Sequence, residues 1–433
     1  MKIRLLLAGA LLLAALPGFA EPSTVDRDIL TRPLPGLNDE ELQRFLRGRS
    51  LFRQSWVIAP ASDTEVDGLG PLYNRIACIS CHPRNGRGGA PSGPQERMQS
   101  MLVRLSVPGS PPRPHPVYGD QLNEEGIPGV AGEGRAEVHW QTQNMTLADG
   151  HVVELRIPEL RFVELAYGNI GPVLVSPRVG PHVAGLGLLN AVDARTLAAL
   201  AREPKTDGVT GQVNRLGRQR LAGRFGLKAN TADLRGQIAG AFHGDMSITS
   251  PLFPRENCTP AQPACRKAPN GGQPELSAGQ LDDITFYVAH LAPPPRRNTE
   301  VPEVKRGETL FTAFGCAACH RPTLHTGKSP HRLLDRRPFS PYTDLLLHDM
   351  GPALADNRPD HAASGRQWRT APLWGIGMLA AINENVGFLH DGRARTIEEA
   401  ILWHGGEGEA ARRRYSEADA ATRRDLIEFL NSL

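Results

Sequence analysis

The sequence predicts a mainly α-helical protein made of two tandem domains of the same plan, with long loops and a small β-hairpin insertion in the first. Three observations predict this fold class. A C-x-x-C-H pentapeptide occurs twice, the helical patterns around it occur twice, and a proline-rich segment separates the two copies. Long loops agree with the composition, since the 433 residues include 45 glycines and 37 prolines.

The N-terminal segment has the pattern of an export signal. Lys2 and Arg4 precede an apolar run from Leu5 to Leu16, and Gly18-Phe19-Ala20 is a small-residue cleavage site. The apolar run is too short to cross a bilayer, and no later segment is apolar enough for a membrane helix. We therefore predict a signal peptide at residues 1–20, a periplasmic location and no integral membrane segment.

Two pentapeptides have the spacing that attaches c-type haem. They are Cys78-Ile79-Ser80-Cys81-His82 and Cys316-Ala317-Ala318-Cys319-His320. Two cysteines one helical turn apart can reach both vinyl groups of a porphyrin, and the histidine that follows binds the iron. The alternative, a redox dithiol, is disfavoured by the histidine in both copies. The sequence therefore predicts two covalently bound c-type haems with His82 and His320 as iron ligands.

The other two cysteines, Cys258 and Cys265, lie in one short loop of the chain. In an oxidising compartment a local disulfide is the simplest expectation for such a pair. Metal binding is the alternative, but no histidine stands nearby.

The helices around the two pentapeptides repeat in the same order. Gly48 to Phe52 precedes the first pentapeptide as Gly307 to Phe311 precedes the second. Ser277 to Leu291 resembles Ser416 to Leu433, and each of these segments opens with a serine as a candidate helix N-cap. A first helix at the haem site and a last helix packed across it is the plan of cytochrome c. Two tandem cytochrome c-like domains are therefore predicted.

A proline-rich linker and an insertion set the domain boundaries. The linker at residues 292–298 predicts an N-terminal cytochrome c-like haem domain over residues 21–295 and a C-terminal one over residues 296–433. Apolar and polar residues alternate over Ala136 to Thr146 and again over His151 to Ile157, which predicts the inserted β-hairpin.

The sequence from Gly387 to Gly406 resembles the bacterial di-haem cytochrome c peroxidases. These have the pattern H-[DS]-G-x-x-x-[TS]-[IL]-x-x-A-[IV] and place the distal ligand of the C-terminal haem fourteen residues past its histidine. The count from His390 implies that His404 is the sixth ligand of the haem held by His320, where the family usually has methionine. Met350 is the rival ligand, and simple packing of His404 at a helix end is the alternative.

A weaker resemblance concerns the first haem. Leu234 to Gly240, followed by Asp245 and Met246, is similar to a stretch of the peroxidases that ends in a glutamate and a methionine. The resemblance implies that Asp245 moves a proton between peroxide oxygens. A solvated loop acid is an equal alternative for Asp245, and Met246 could instead be the distal ligand of this haem.

A closer resemblance covers almost the whole mature chain. Four stretches are similar to a bacterial di-haem oxidoreductase family that has sometimes been labelled "thiol oxidoreductase". They are Pro116 to Leu122, Gly217 to Gly226, Tyr342 to Gly351 and Trp368 to Gly375. The resemblance implies a peroxidase-like oxidoreductase that moves electrons between two haems.

Two other functions stay open at this point, a pure electron-transfer cytochrome without a substrate and a haem-free dithiol–disulfide oxidoreductase. The partners expected are a small cytochrome or cupredoxin and a small oxidant such as peroxide. The formal net charge of +3 gives no footprint for nucleic acid. The peroxidases also hold calcium between their domains, and the sequence shows no convincing ligand set for that ion.

Overall fold

The structure is a computed structural model, and it describes residues 26–109 and 113–433. The predicted signal peptide lies outside the described residues. The α-helices in the described part are α1 (Asp39–Arg53), α2 (Cys78–Cys81), α3 (Leu186–Asn190), α4 (Ala194–Leu200), α5 (Leu234–Met246), α6 (Ala278–Ala289), α7 (Pro302–Ala313), α8 (Leu379–Ile382), α9 (Ile397–Leu402), α10 (Glu409–Glu417) and α11 (Ala420–Ser432). Among the helices described here, none has the length and apolar character needed to span a bilayer.

The strands form antiparallel two-stranded ribbons. They are β1 (Leu72–Tyr73), β2 (Met101–Ser106), β3 (Glu125–Gly126), β4 (Arg135–Thr146), β5 (Val152–Val163), β6 (Leu174–Val179), β7 (Arg215–Leu216), β8 (Leu221–Ala222), β9 (Leu324–His325), β10 (Pro338–Phe339), β11 (Leu347–Asp349) and β12 (Gln367–Arg369). The pairs are β1 with β3, β2 with β6, β4 with β5, β7 with β8, β9 with β10, and β11 with β12.

The prediction of a mainly α-helical protein was wrong. Helix accounts for 31% of the structure and strand for 17%, and the rest is turn and loop. Glycine and proline explain much of this difference, because both interrupt helices and both are abundant between the elements. The strands follow because short extended segments in these connections pair with one another as ribbons.

The predicted β-hairpin is confirmed, and it is longer than predicted. β4 and β5 pair without a break from Arg135 opposite Val163 to Thr146 opposite Val152. The sequence pattern stopped at Ile157 because Pro158 interrupts the alternation. A proline is tolerated there because a two-stranded ribbon leaves one edge of each strand unpaired.

Two crossed helix pairs repeat in the structure as the sequence pattern predicted. A Cβ atom on Gly48 of α1 would lie only 2.1 Å from the carbonyl oxygen of Asp283 in α6. A Cβ atom on Gly307 of α7 would lie 2.0 Å from the carbonyl oxygen of Asp425 in α11. In both pairs, therefore, the absent side chain is what lets the two helix backbones approach so closely.

Aromatic rings fill the space beside each crossing. Phe52 of α1 packs on Tyr287 of α6, with ring centroids 5.5 Å apart. Phe311 of α7 packs on Phe429 of α11 at 5.2 Å. The sequence repeat is thus a repeat of one packing unit.

One of the two predicted serine caps is confirmed. Ser277 caps α6, since its side chain accepts a hydrogen bond from the backbone N–H of Gln280. Ser416 instead lies within α10, and Asp419 caps α11 by accepting from the backbone N–H of Thr422. Aspartate is as good an N-cap as serine, so the pattern alone could not choose between them.

Buried apolar residues connect the two parts of the chain. One large cluster joins Leu291 to Phe339 and Trp374, and another joins Leu30 to Phe429. Both clusters contain residues from before and after the linker. The division into domains at residues 295 and 296 stays a prediction.

Candidate functional site

The cysteines divide as the sequence predicted. Cys258 and Cys265 form a disulfide. The free cysteines are Cys78, Cys81, Cys316 and Cys319. Burial raises the pKa of the Cys78, Cys81 and Cys316 thiols to about 12. A dithiol exchanger requires thiolates that form readily, and a raised pKa disfavours the thiolate form of these three cysteines.

The two pentapeptide histidines have the same local geometry. Nδ1 of His82 lies 2.6 Å from the backbone oxygen of Pro181, and Nδ1 of His320 lies 3.0 Å from that of Tyr342. A carbonyl oxygen can only accept, so Nδ1 carries the proton in both rings and the Nε2 lone pair is available to a metal. Burial lowers the pKa of both imidazoles to about 4, which keeps them neutral, the form that iron binds.

Both rival sixth ligands lie at the second pentapeptide. Nδ1 of His404 donates to the backbone oxygen of Ala400 at 2.7 Å, which leaves Nε2 available. After burial itself, nearby His404 is the largest cause that lowers the pKa of His320, so the two imidazoles are close. A Cβ atom on Gly408 would lie 3.1 Å from Cδ2 of His404 and 3.3 Å from Cε of Met350. The two candidates therefore adjoin one another.

Asp245 lies in the last turn of α5, beside the first pentapeptide. Its Oδ1 atom accepts from Nε2 of Gln121 at 2.8 Å. Burial raises the pKa of this carboxyl, and its charge contributes to the raised pKa of Cys78 and Cys81. Met246, the next residue, is buried in the apolar core. The structure thus puts the acid near the cysteines within a helix rather than in a solvated loop.

Two polar residues beside Asp245 escaped the sequence analysis as site residues. Gln121 holds the carboxylate, and within the described residues its buried Oε1 atom has no hydrogen-bond partner. Arg104 of β2 pairs with Asp120 at 2.7 Å and acts electrostatically on Asp245. Gln121 stood inside a stretch quoted for the family resemblance, which was its only signal. Arg104 had none.

A cluster of basic side chains provides a test of whether haem fits. His182 is buried beside Arg87, Arg369 and His82, and burial together with these charges lowers its pKa to about 3. In the part of the chain that the structure describes, both guanidinium groups donate to backbone carbonyl oxygens but neither forms an ion pair, and Nδ1 of His182 has no partner. Each porphyrin carries two propionates, and carboxylates are the natural partners of buried arginines. The residues present therefore fit the group.

Calcium has no comparable support. Over residues 26–109 and 113–433, no three or more His, Cys, Asp or Glu side chains are arranged to hold a metal ion. A calcium site of that kind has no candidate there.

Comparisons with known proteins agree with the site chemistry. A family model described as "Di-haem oxidoreductase, putative peroxidase" matches residues 26–107 and 109–433. No curated protein was found to match the chain. A solved structure titled "Kuenenia stuttgartiensis Hydrazine Synthase Pressurized with 20 bar Xenon" is similar at 12% identity, with 100% of each chain covered and a TM-score of 0.39. A similarity of that size carries no argument about function.

Proposed function

Since the chain belongs to the di-haem oxidoreductase family, we propose that it is an exported, peroxidase-like oxidoreductase with one c-type haem attached at each pentapeptide. The observation that carries the proposal is the pair of imidazoles, His82 and His320. Each follows two free cysteines and has Nδ1 tied to a backbone carbonyl, so that Nε2 is available to iron. The predicted signal peptide supports the periplasm as its location.

We assign reaction with peroxide to the first haem site. Bound haem would supply the electrons for breaking the O–O bond. Asp245 would take a proton from one peroxide oxygen and return it to the other, which departs as water. Gln121 keeps the carboxylate in place at 2.8 Å. The raised pKa of Asp245 suits this role because a carboxyl with a very low pKa would release a proton but rarely regain one.

The second site is assigned to electron storage and supply. His320 and His404 would both hold the iron of a haem bound here, and such a haem would have no free position for a small molecule. Reduction of peroxide to two waters takes two electrons, and two one-electron centres provide them together. A small cytochrome or a cupredoxin is the donor we propose, because such proteins carry single electrons in the periplasm.

The experiment uses protein produced together with a cytochrome c maturation system. We expect a pyridine haemochrome assay to find two c-type haems per chain, and one equivalent of peroxide to re-oxidise both haems of the reduced protein. Free thiols without a Soret band would instead establish the dithiol exchanger. Two haems that peroxide leaves reduced would establish the electron-transfer cytochrome.

A further inference from the structure

Glu407 lies three residues after His404, and hydrogen-bond donors surround its carboxylate. The donors are Nδ1 of His348 at 2.6 Å, the backbone N–H groups of Thr210 at 2.9 Å, Gly211 at 3.1 Å and Asp349 at 3.2 Å, and the hydroxyl of Thr210 at 3.0 Å. Burial opposes ionisation, but these bonds lower the pKa of Glu407 to about 2. Five donors on one partly buried carboxylate indicate a fixed anion rather than an ordinary surface charge.

The strongest of these donors connects Glu407 to the haem attachment site. His348 is buried, and its Nε2 atom lies 3.0 Å from Oδ2 of Asp344. Its Nδ1 atom, which faces Glu407, also lies 3.5 Å from Sγ of Cys319. Burial alone would lower the pKa of His348, but these partners raise it to about 12 and keep it charged. A rigid acid–imidazolium–acid unit therefore adjoins the second pentapeptide.

The segments that carry the two rival ligands are pressed together. We call residues 404–408 the ligand loop. A Cβ atom on Gly406 would lie 2.2 Å from the backbone oxygen of Asp349, and one on Gly351 would lie 3.0 Å from the backbone nitrogen of Gly406. Glu407 belongs to the ligand loop and binds His348 and Asp349, which directly precede Met350. Its carboxylate thus ties the ligand loop to the segment that carries Met350.

Three of the five donors belong to one segment in the N-terminal part of the chain. We call this segment, residues 203–212, the strap. The strap is held at both ends and in the middle. Arg321 pairs with Glu203 at 2.6 Å, Arg414 pairs with Asp207 through two contacts of 2.7 Å, and Gln212 exchanges two backbone hydrogen bonds of 2.8 Å with Leu347. Because Arg321 directly follows His320, the strap spans the second haem site from its proximal histidine to its ligand loop.

We propose that Glu407 is a positioning residue that selects His404 over Met350 as the sixth ligand of the second haem, using donors supplied by the strap. The inference builds on the proposed function, since it requires a haem at Cys316, Cys319 and His320. Glu407 does not touch the iron itself. It acts by holding the ligand loop where the imidazole of His404 reaches the metal and the thioether of Met350 does not.

The test compares Glu407→Ala and Glu407→Asp with Glu409→Gln in holoprotein that carries both haems. Glu409 is a matched control because it is an exposed acid two residues away that pairs with Arg412 and, within the described residues, forms no other ion pair. The readouts are the low-temperature EPR spectrum and the midpoint potential of the second haem. We expect the native bis-imidazole signal in the control. In Glu407→Ala we expect that signal to be lost, a histidine–methionine signal to replace it and the potential to rise.

Three variants separate positioning from charge and from general damage. Glu407→Asp keeps the negative charge but has a shorter side chain. We therefore expect a fraction of the molecules to show the histidine–methionine signal. Adding Met350→Ala to Glu407→Ala should abolish the new signal. Thr210→Val removes one donor from the strap, so it should shift the EPR spectrum toward the histidine–methionine signal while both haems stay bound. This variant tests the proposal even if Glu407→Ala fails to fold.

An unchanged EPR spectrum and potential in both Glu407→Asp and Thr210→Val would overturn the proposal, whether or not Glu407→Ala folds. That result would leave the proposed function standing, because the wild-type protein would still show two haems and a bis-imidazole signal. A wild-type protein with fewer than two haems would overturn the proposed function and this inference together.

Discussion

The two pentapeptide sites are alike on one side of the predicted iron and different on the other. At each site a first and a last helix cross at a glycine. In addition, the Nδ1 atom of the pentapeptide histidine donates to a backbone carbonyl. Beyond that plan, the first site has the buried acid Asp245 with the amide of Gln121 and the guanidinium of Arg104. The second site has the imidazole of His404 beside the thioether of Met350. In the proposed function, the repeated part anchors a haem at each site. The segments that do not repeat must therefore decide what each haem does.

The largest expected effect concerns the cysteine pairs, which both sites have. Replacing Cys78 and Cys81 by alanine should remove one haem, and replacing Cys316 and Cys319 should remove the other, because in the proposed function each cysteine pair anchors its own porphyrin. Intact-mass spectrometry after cytochrome c maturation counts the haems. Replacing Cys258 and Cys265 is the matched control and should leave two, since these residues form a disulfide. Loss of both haems from either pentapeptide variant would contradict independent anchoring.

The second prediction concerns the sixth ligand, and therefore the second site only. His404→Ala should make the second haem five-coordinate or give it another ligand, while the first haem keeps its spectrum. Visible and EPR spectra report this change, and Met350→Ala serves as the control that should alter neither haem. An unchanged low-spin spectrum in His404→Ala would transfer the ligand assignment to Met350.

The third prediction concerns the first site only. Asp245→Asn should lower peroxide turnover by about 100-fold or more, the range typical of a lost proton-transfer group, with two haems still bound. Asp245 must be ionised to take the first proton, so wild-type turnover should rise with pH through its pKa. Burial raises that pKa above the ordinary aspartate value of about 3.9, and the rise should be absent from Asp245→Asn.

Gln121→Leu sharpens the same prediction. The hydrogen bond from Gln121 lowers the pKa of Asp245, so its removal should move the rise in turnover to higher pH. A pH profile that is identical in wild type, Gln121→Leu and Asp245→Asn would remove Asp245 from the reaction.

The smallest expected effects test the shared helix crossings. Gly48→Ala and Gly307→Ala should each lower the free energy of unfolding by about 1–3 kcal/mol, the usual cost of overpacking, because each new Cβ would collide with a backbone carbonyl. Gly279→Ala in α6 is the matched control, as nothing lies within 4 Å of the added atom. Urea denaturation measures the differences. Equal stability of all three variants would show that the crossings are looser than the structure indicates.

Features coded within one stretch of chain could be predicted from the sequence. The hairpin, the α6 cap at Ser277, the disulfide and the helix repeat each depend on a local pattern of residues. The fold class was misjudged because the haem motifs indicated helices, whereas the ribbons other than the β4–β5 hairpin are short and carry no strong strand pattern. Short strands paired with distant partners, such as β2 with β6, leave little trace in one sequence.

Features assembled from distant segments could not be predicted. Gln121 and Asp245 lie 124 residues apart, and Glu407 takes donors from Thr210, which is 197 residues away. Each of these residues is individually an ordinary polar side chain. Only the folded chain shows which partner each residue faces. Sequence reasoning therefore predicted the two pentapeptide anchors, which stay predictions, and missed most of the residues that surround them.

The measurement that tests the difference between the sites most directly is a redox titration followed by EPR. We expect two ferric EPR signals with separate midpoint potentials. One is a low-spin bis-imidazole signal from the second haem, and the other belongs to a first haem that becomes accessible to cyanide or peroxide in at least one redox state. Two low-spin haems in every redox state, both unaffected by either ligand, would contradict this expectation.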